Sequence, residues 1–260
     1  MKRILIAALT VLVVGGASAA ALAASSPRAR LRHFVCQRAL DPAARAVSVT
    51  AVMRPLPGTK KLELRFQLQS KSKPGGSYGA VSGGDLGTWI SPANPSLGTR
   101  PGDIWILNKQ VVDLTAPASY RFHVLFRWIG NHEHVLGTAV RESSACAQPE
   151  LRPDLLVQSI AVSPVTGKPN LNHYVATIRN GGATAAGSFE VLFAPGGGLP
   201  VKTRVVRGLH AHSNTTETFL GPACTAVSPP SITVDPNGQV DESNQGNNSL
   251  TAVCTGSSGQ

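Results

Sequence analysis

The sequence predicts an all-β chain, two immunoglobulin-like β-sandwich domains in tandem after a cleaved signal peptide. Three observations predict it. Apolar residues recur at every second position and almost nowhere at a helical spacing. Stretches rich in Gly, Pro and Ser cut the chain into short segments, the pattern of a sandwich or barrel. Four cysteines, Cys36, Cys146, Cys224 and Cys254, are placed so that one pair brackets or lies within each of two such segments.

The chain opens with Lys2 and Arg3, an apolar run from Ile4 to Val14, and small residues that offer two A-x-A cleavage sites before residue 24. Residues 1–24 therefore read as a signal peptide. The run is shorter than the roughly 20 apolar residues a bilayer requires, so no membrane span is expected. No cysteine sits just after the cleavage region, which argues against a lipid anchor, and residues 255–260 read as a disordered polar tail. The expected location is secreted, extracellular.

The first domain is expected over residues 27–147. Val47, Val49, Ala51 and Met53 alternate with Ser48, Thr50 and Val52. Leu62, Leu64, Phe66 and Leu68 alternate with Glu63, Arg65, Gln67 and Gln69. Tyr120, Phe122, Val124, Phe126 and Trp128 repeat the pattern, and Gly130-Asn131 turns the chain into a strand near 135–141. Shorter strands are expected at Thr88–Ile90 and Ile104–Leu107. Each is a half-buried strand, with one face feeding a core and the other meeting water. One-sided strands need a facing sheet, so a sandwich is the default. Tyr120, opening a long late strand, resembles the tyrosine corner of immunoglobulin and fibronectin type III domains. No named family is identified for this half.

Residues 148–153, with two prolines and no apolar period, are expected to be a short, stiff linker. Alternation then restarts over 154–254 at Leu155/Val157, Ile160/Val162, Tyr174/Ala176/Ile178 and Phe189/Val191/Phe193. Further strands are expected at 202–206, 215–220, 232–234 and 250–254. About seven short strands in roughly 100 residues suit an immunoglobulin-like sandwich. Asn180-Gly181 is expected to supply the positive-φ residues of a tight hairpin, and Asp235-Pro236-Asn237-Gly238 another turn. Asn247 and Asn248 are expected to bond local backbone groups where the last strand begins.

These blocks carry a family resemblance. Pro153-Asp154-Leu155-Leu156-Val157 looks like the opening strand of CARDB, the cell-adhesion-related domain found in bacteria. Ala176 to Phe189, through Asn180-Gly181-Gly182, is similar to its central strand, turn and return strand. Gly208 to Phe219 and Val234 to Asn248 follow in the family's order. The resemblance implies an extracellular β-sandwich and a role in adhesion or in carrying neighbouring domains, with no defined ligand. Cys224 and Cys254 depart from the family pattern.

An even number of cysteines in an exported chain points to disulfides. Four cysteines allow three pairings; position favours Cys36–Cys146 and Cys224–Cys254, one bridge per domain. The net charge of +10 is lopsided: residues 27–153 hold 17 Lys/Arg against 8 Asp/Glu, and residues 154–260 hold 5 against 6. The expected partners are cell-envelope polysaccharide or other surface proteins, since a basic domain can favour an anionic surface. Nucleic acid is not expected, because neither a reading helix nor an aromatic-basic platform is recognisable. Scattered charge that merely keeps the domain soluble is the plainer account.

Three constellations bear on chemistry. Asp235, Asn237, Asp241 and Glu242, with Asn244 and Asn247, place oxygen ligands at alternating positions, as a calcium loop does. Pro236 and Gly238 crowd the turn and Glu242 comes too early for an EF-hand, so backbone bonding is preferred. His132-Glu133-His134 and His210-Ala211-His212 lack a third metal ligand. No G-x-S-x-G occurs, and four bonded cysteines leave no thiol nucleophile. Leu199 to Thr203 resembles a sortase signal but is internal, without a hydrophobic tail. The expectation is a non-enzymatic, cofactor-free adhesion or scaffold protein. The alternatives are a carbohydrate-binding accessory protein, with Trp89 as the surface ring, and an unrecognised extracellular enzyme.

Overall fold

A computed structural model describes residues 27–254. The expected signal peptide (1–24) and tail (255–260) lie outside the described residues. The first half contains β1 (Ala29–Gln37), β2 (Ala46–Met53), β3 (Lys61–Lys71), β4 (Gly79–Val81), β5 (Trp105–Val111), β6 (Ala118–Ile129), β7 (Val135–Glu142) and β8 (Cys146–Gln148). The second contains β9 (Leu155–Val165), β10 (Lys168–Asn180), β11 (Phe189–Ala194), β12 (Lys202–Val206), β13 (Asn214–Pro222), β14 (Ser231–Val234) and β15 (Ser249–Thr251). Among the described residues the helical elements are three single 3-10 turns.

In the first half, β1-β2-β5 form one sheet and β4-β3-β6-β7 the other, with β8 added beside β6. All pairings are antiparallel. Val47, Val49, Ala51 and Met53 from one sheet meet Leu62, Leu64, Phe66, Leu68, Phe122, Val124, Phe126 and Trp128 from the other in a single core. Alternation in the sequence thus becomes burial, and each large side chain withdrawn from water contributes about 1.5–3 kcal/mol. Trp128 donates its indole N–H to the Arg54 carbonyl at 2.7 Å, so a core position keeps its one polar atom satisfied. Tyr120 donates its hydroxyl to the Thr115 carbonyl at 2.8 Å. That backward bond across the corner is the one the tyrosine corner requires.

β1 was not apparent in the sequence. Ala29 and Leu31 alternate, but His33 adopts φ 48° and the register with β2 slips between Arg32 and Val35. The bulge moves the inward set to Phe34 and Cys36, which hides the period. Cys36 bonds Cys146 with Cα atoms 5.3 Å apart, tying this irregular edge strand to β8.

In the second half, β13-β10-β9 face β12-β11-β14-β15, giving seven strands in two antiparallel sheets. Tyr174, Phe193 and Phe219 stack at the centre of the core, with ring centroids 4.9 and 5.2 Å apart in sequence. Cys224 bonds Cys254, Cα atoms 5.2 Å apart, joining the segments that follow β13 and β15.

Three local expectations need correction. Thr88–Ile90 forms no strand, and Ile90 alone makes a bridge, to Leu64. Asn180-Gly181 is not a positive-φ turn. Asn180 is fully buried, and its amide takes four bonds: it accepts from the N–H groups of Asp154 and Gly182 and donates to the carbonyls of Thr184 and Leu209. Gly182 is small because a Cβ there would lie 2.5 Å from the Pro153 Cα. Asn247 and Asn248 bond carboxylates rather than backbone, donating to Asp154 and Glu242 at 3.1 and 2.7 Å. Asp235 and Gly238, by contrast, do adopt positive φ in the later turn.

Candidate interaction surface

The solvent face of the β3/β6 sheet is set by the residues that alternate with the core. β3 contributes Lys61, Glu63, Arg65, Gln67, Gln69 and Lys71, and β6 contributes Arg121, His123, Leu125 and Arg127. Two rings lie over this face. Ile90 bridges Leu64, which sets Trp89 beside Arg65, and the guanidiniums of Arg127 and Arg65 lie 4.2 and 4.9 Å from its centroid. Tyr78, next to β4, receives Arg121 at 4.1 Å and Lys71 at 5.0 Å. Such contacts contribute about 0.5–1 kcal/mol each at exposed sites.

Carboxylates complete the pattern. Glu63 pairs with Lys61 and with Arg127. Burial opposes its ionisation, but the two cations outweigh it and hold the carboxyl below its usual range. Glu142 accepts from Arg121 at 2.8 Å, and His123 Nδ1 lies 3.1 Å from its other oxygen. The expectation of Trp89 as a free stacking ring therefore changes: the ring is half-buried and already occupied by two guanidiniums. Trp105 and Trp128 belong to the core.

The acidic-amide run is dispersed. Asp235 accepts from the backbone N–H groups of Gln239 and Val240 at 3.0 and 2.8 Å. Asn237 donates to Glu190. Asp241 faces Arg152 at 3.2 Å. Glu242 accepts from the Leu155 N–H at 2.6 Å and from Asn248. The four side chains named as a calcium candidate thus turn to different partners, and Asp235 and Glu242 both bond backbone N–H groups. Burial raises the Glu242 carboxyl above its usual range, against the smaller opposite effect of those two donors. His132 and His134 lie exposed on a hairpin tip closed by a 3-10 turn.

The segment between the two cores carries a charge ladder that the sequence did not reveal. Arg45 is buried, donates to the carbonyls of Ala39 and Leu40, and reaches Glu150 at 2.9 Å. Glu150 also accepts from the Arg152 guanidinium through both oxygens, at 3.1 and 3.2 Å, and Arg152 continues to Asp241. Burial opposes ionisation of Glu150, but the Arg152 side chain and N–H, then Arg45, hold it down at about 2. Gln148 at one end is buried and donates to Gln37; Pro153 at the other accepts from Ser243. Little free chain remains between.

A cleft of about 540 Å³ is lined by residues such as Val81, Leu86, Val111, Leu114 and the mutually paired Asp85 and Lys109.

With this geometry in view, residues 152–252 match the family model described as CARDB. A domain (272–376) of a putative cell surface protein from Methanosarcina acetivorans is 30% identical, covering 39% of this chain and 90% of that one at a TM-score of 0.32. The class 5 fimbriae chaperone CfaA is 10% identical over 86% of this chain and all of its own, at 0.26. A red sea bream transglutaminase is 10% identical over 89% of this chain and 32% of its own, at 0.29. At such TM-scores these structural likenesses carry no argument. No curated protein matches the chain.

Proposed function

We propose that this chain, which carries a CARDB domain over residues 152–252, is a secreted, non-enzymatic adhesion or scaffold protein of the cell exterior. The family match is the observation that carries the reading. Two features support it. Both cysteine pairs are disulfide-bonded, which suits an oxidising compartment. The first sandwich presents a charged outer face on β3 and β6, which suits contact with other surfaces.

The test has two parts. N-terminal sequencing of protein recovered from the medium should find a mature start between Ala20 and Ser25; intact Met1 there would sink the export reading. Purified mature protein should then sediment with cells of the producing strain and be displaced by excess unlabelled protein. Absence of saturable association would overturn the adhesion reading.

A further inference from the structure

One face of the molecule carries positive charge without an answering negative. The outward positions of β1 and β2 are set by the core: Ala29, Ala51 and Met53 point inward, so Arg30, Arg32, Thr50 and Val52 point outward. Arg28 lies just before β1, where its carbonyl accepts the Arg54 N–H at 2.8 Å, and this pairing places Arg28 opposite Arg54. Four arginines therefore share the outer surface of the β1-β2-β5 sheet. Successive outward residues along β1 are about 6.6 Å apart, and directly opposed side chains have Cβ atoms about 5 Å apart.

Two independent observations mark this surface as unfinished. None of Arg28, Arg30, Arg32 or Arg54 has an ion-pair partner among the described residues, Arg28 donating to the Pro55 carbonyl at 2.7 Å instead; on the opposite sheet Arg121 and Arg127 are ion-paired and Arg65 lies against Trp89. The Nε atoms of Arg30 and Arg54 are also shielded from solvent with no hydrogen-bond acceptor. Like charges opposed across strands are destabilising. Burial, followed by the charges of Arg32 and Arg54, lowers the affinity of Arg30 for its proton, in line with that crowding.

We propose that the Arg28/Arg30/Arg32/Arg54 face is a binding site for an extended anionic polysaccharide, held through its acid groups. The chemistry is that of guanidinium forks, which take carboxylate or sulfate oxygens two at a time and in a fixed plane. The spacing along β1 presents a row of forks to a linear polymer with repeated negative groups. Around the arginines stand Ser48, Thr50, Asn108 and Gln110, hydroxyl and amide groups suited to sugar hydroxyls. Among the described residues no Trp, Tyr or Phe occupies the outward positions of β1, β2 and β5, so the face favours a glycan over single-stranded nucleic acid. The site rests on the cell-exterior reading only in that the polymer is found there; binding of purified protein stands or fails independently of export.

The experiment compares purified mature protein with R30Q/R32Q/R54Q and with K60Q/K73Q/R100Q, which removes three exposed charges elsewhere. The probes are polygalacturonate, dextran sulfate, neutral dextran and single-stranded DNA. Parent protein should bind both anionic glycans and not dextran, and the arginine variant should lose ~10-fold or more in affinity at about 0.15 M salt. The distant variant should lose less than about 3-fold by the same electrostatic argument. The arginine variant should also melt no lower than the parent, because substitution relieves repulsion; this separates lost binding from lost folding. Equal losses in the two variants would overturn the proposal, as would binding to neither anionic glycan or tighter binding to DNA than to either of them.

Discussion

The two sandwiches have similar architecture but are held together differently. The first buries an almost wholly apolar set between its sheets and deploys its charge outside, in stacks over Tyr78 and Trp89 and in the arginine face of β1 and β2. The second closes one end of its core with polar groups, Asn180, Asp235, Glu242 and Asn248, all buried and bonded to loops. A core of alternating aliphatic residues fixes which face is inside. Buried amides and carboxylates fix where particular loops sit, at the cost of desolvating each of them. Both sandwiches thus rest on an apolar core and one bridge, and the second adds a set of buried polar side chains that hold its loops.

The largest effect that would sharpen this contrast comes from the bridges. Cys36→Ala/Cys146→Ala opens a loop of 110 residues and should destabilise the first sandwich by about 4–5 kcal/mol on the chain-entropy account. All three tryptophans, Trp89, Trp105 and Trp128, lie in the first half. Their fluorescence therefore follows that half alone, while far-ultraviolet dichroism follows both. The fluorescence midpoint should fall and a later dichroism transition should remain. Simultaneous loss of both signals would mean that the two sandwiches melt as one.

Asn180→Ala should come next, with a loss of about 3 kcal/mol confined to the second half, because two N–H groups and two carbonyls lose a buried partner. Dichroism should register it and tryptophan fluorescence should not. A loss under about 0.5 kcal/mol, the range of an ordinary surface change, would show that water or loop movement replaces the amide.

Much of this contrast could be read from the sequence, and its limits have physical causes. Strands such as 62–68 and 120–128 were legible because one face is wholly apolar. β1 was not, because the bulge at His33 interrupts its period. Position alone favoured the disulfide pairing that is observed. The polar sites were less legible. Asn180 carries the letters of a hairpin turn, but its role comes from contacts with Asp154, 26 residues earlier, and Leu209, 29 residues later. The Arg45–Glu150 pair joins residues 105 apart. Local composition also showed Trp89 as a ring in a Gly-rich loop and could not show the two guanidiniums that cover it.

Glu242 and Glu150 give the smallest effects and the most direct opposition. Glu242 has a raised folded-state value, so the folded chain holds its proton more tightly than the unfolded chain. Stability of the second sandwich should therefore be greatest below the ordinary carboxyl value of 4.5 and decline as pH rises through the interval above it. Glu242→Gln should flatten this decline, in denaturant midpoints taken between pH 4 and 7; an unchanged slope would mean that Glu242 does not titrate in that interval. Glu150 works in the other direction. Its folded value of about 2 lies below 4.5, so its contribution is complete above 4.5 and is lost as pH falls toward 2. The affected contacts run from Arg45 through Arg152 to Asp241, and acid should loosen the junction rather than either core. The separation between the fluorescence and dichroism midpoints should widen between pH 4.5 and 2.5 in the parent. In Glu150→Gln it should already be wide at pH 7 and change little on acidification, because the buried Arg45 has lost its carboxylate partner at every pH. If the separation in the parent does not depend on pH while Glu150→Gln matches it throughout, the ladder does not couple the two halves.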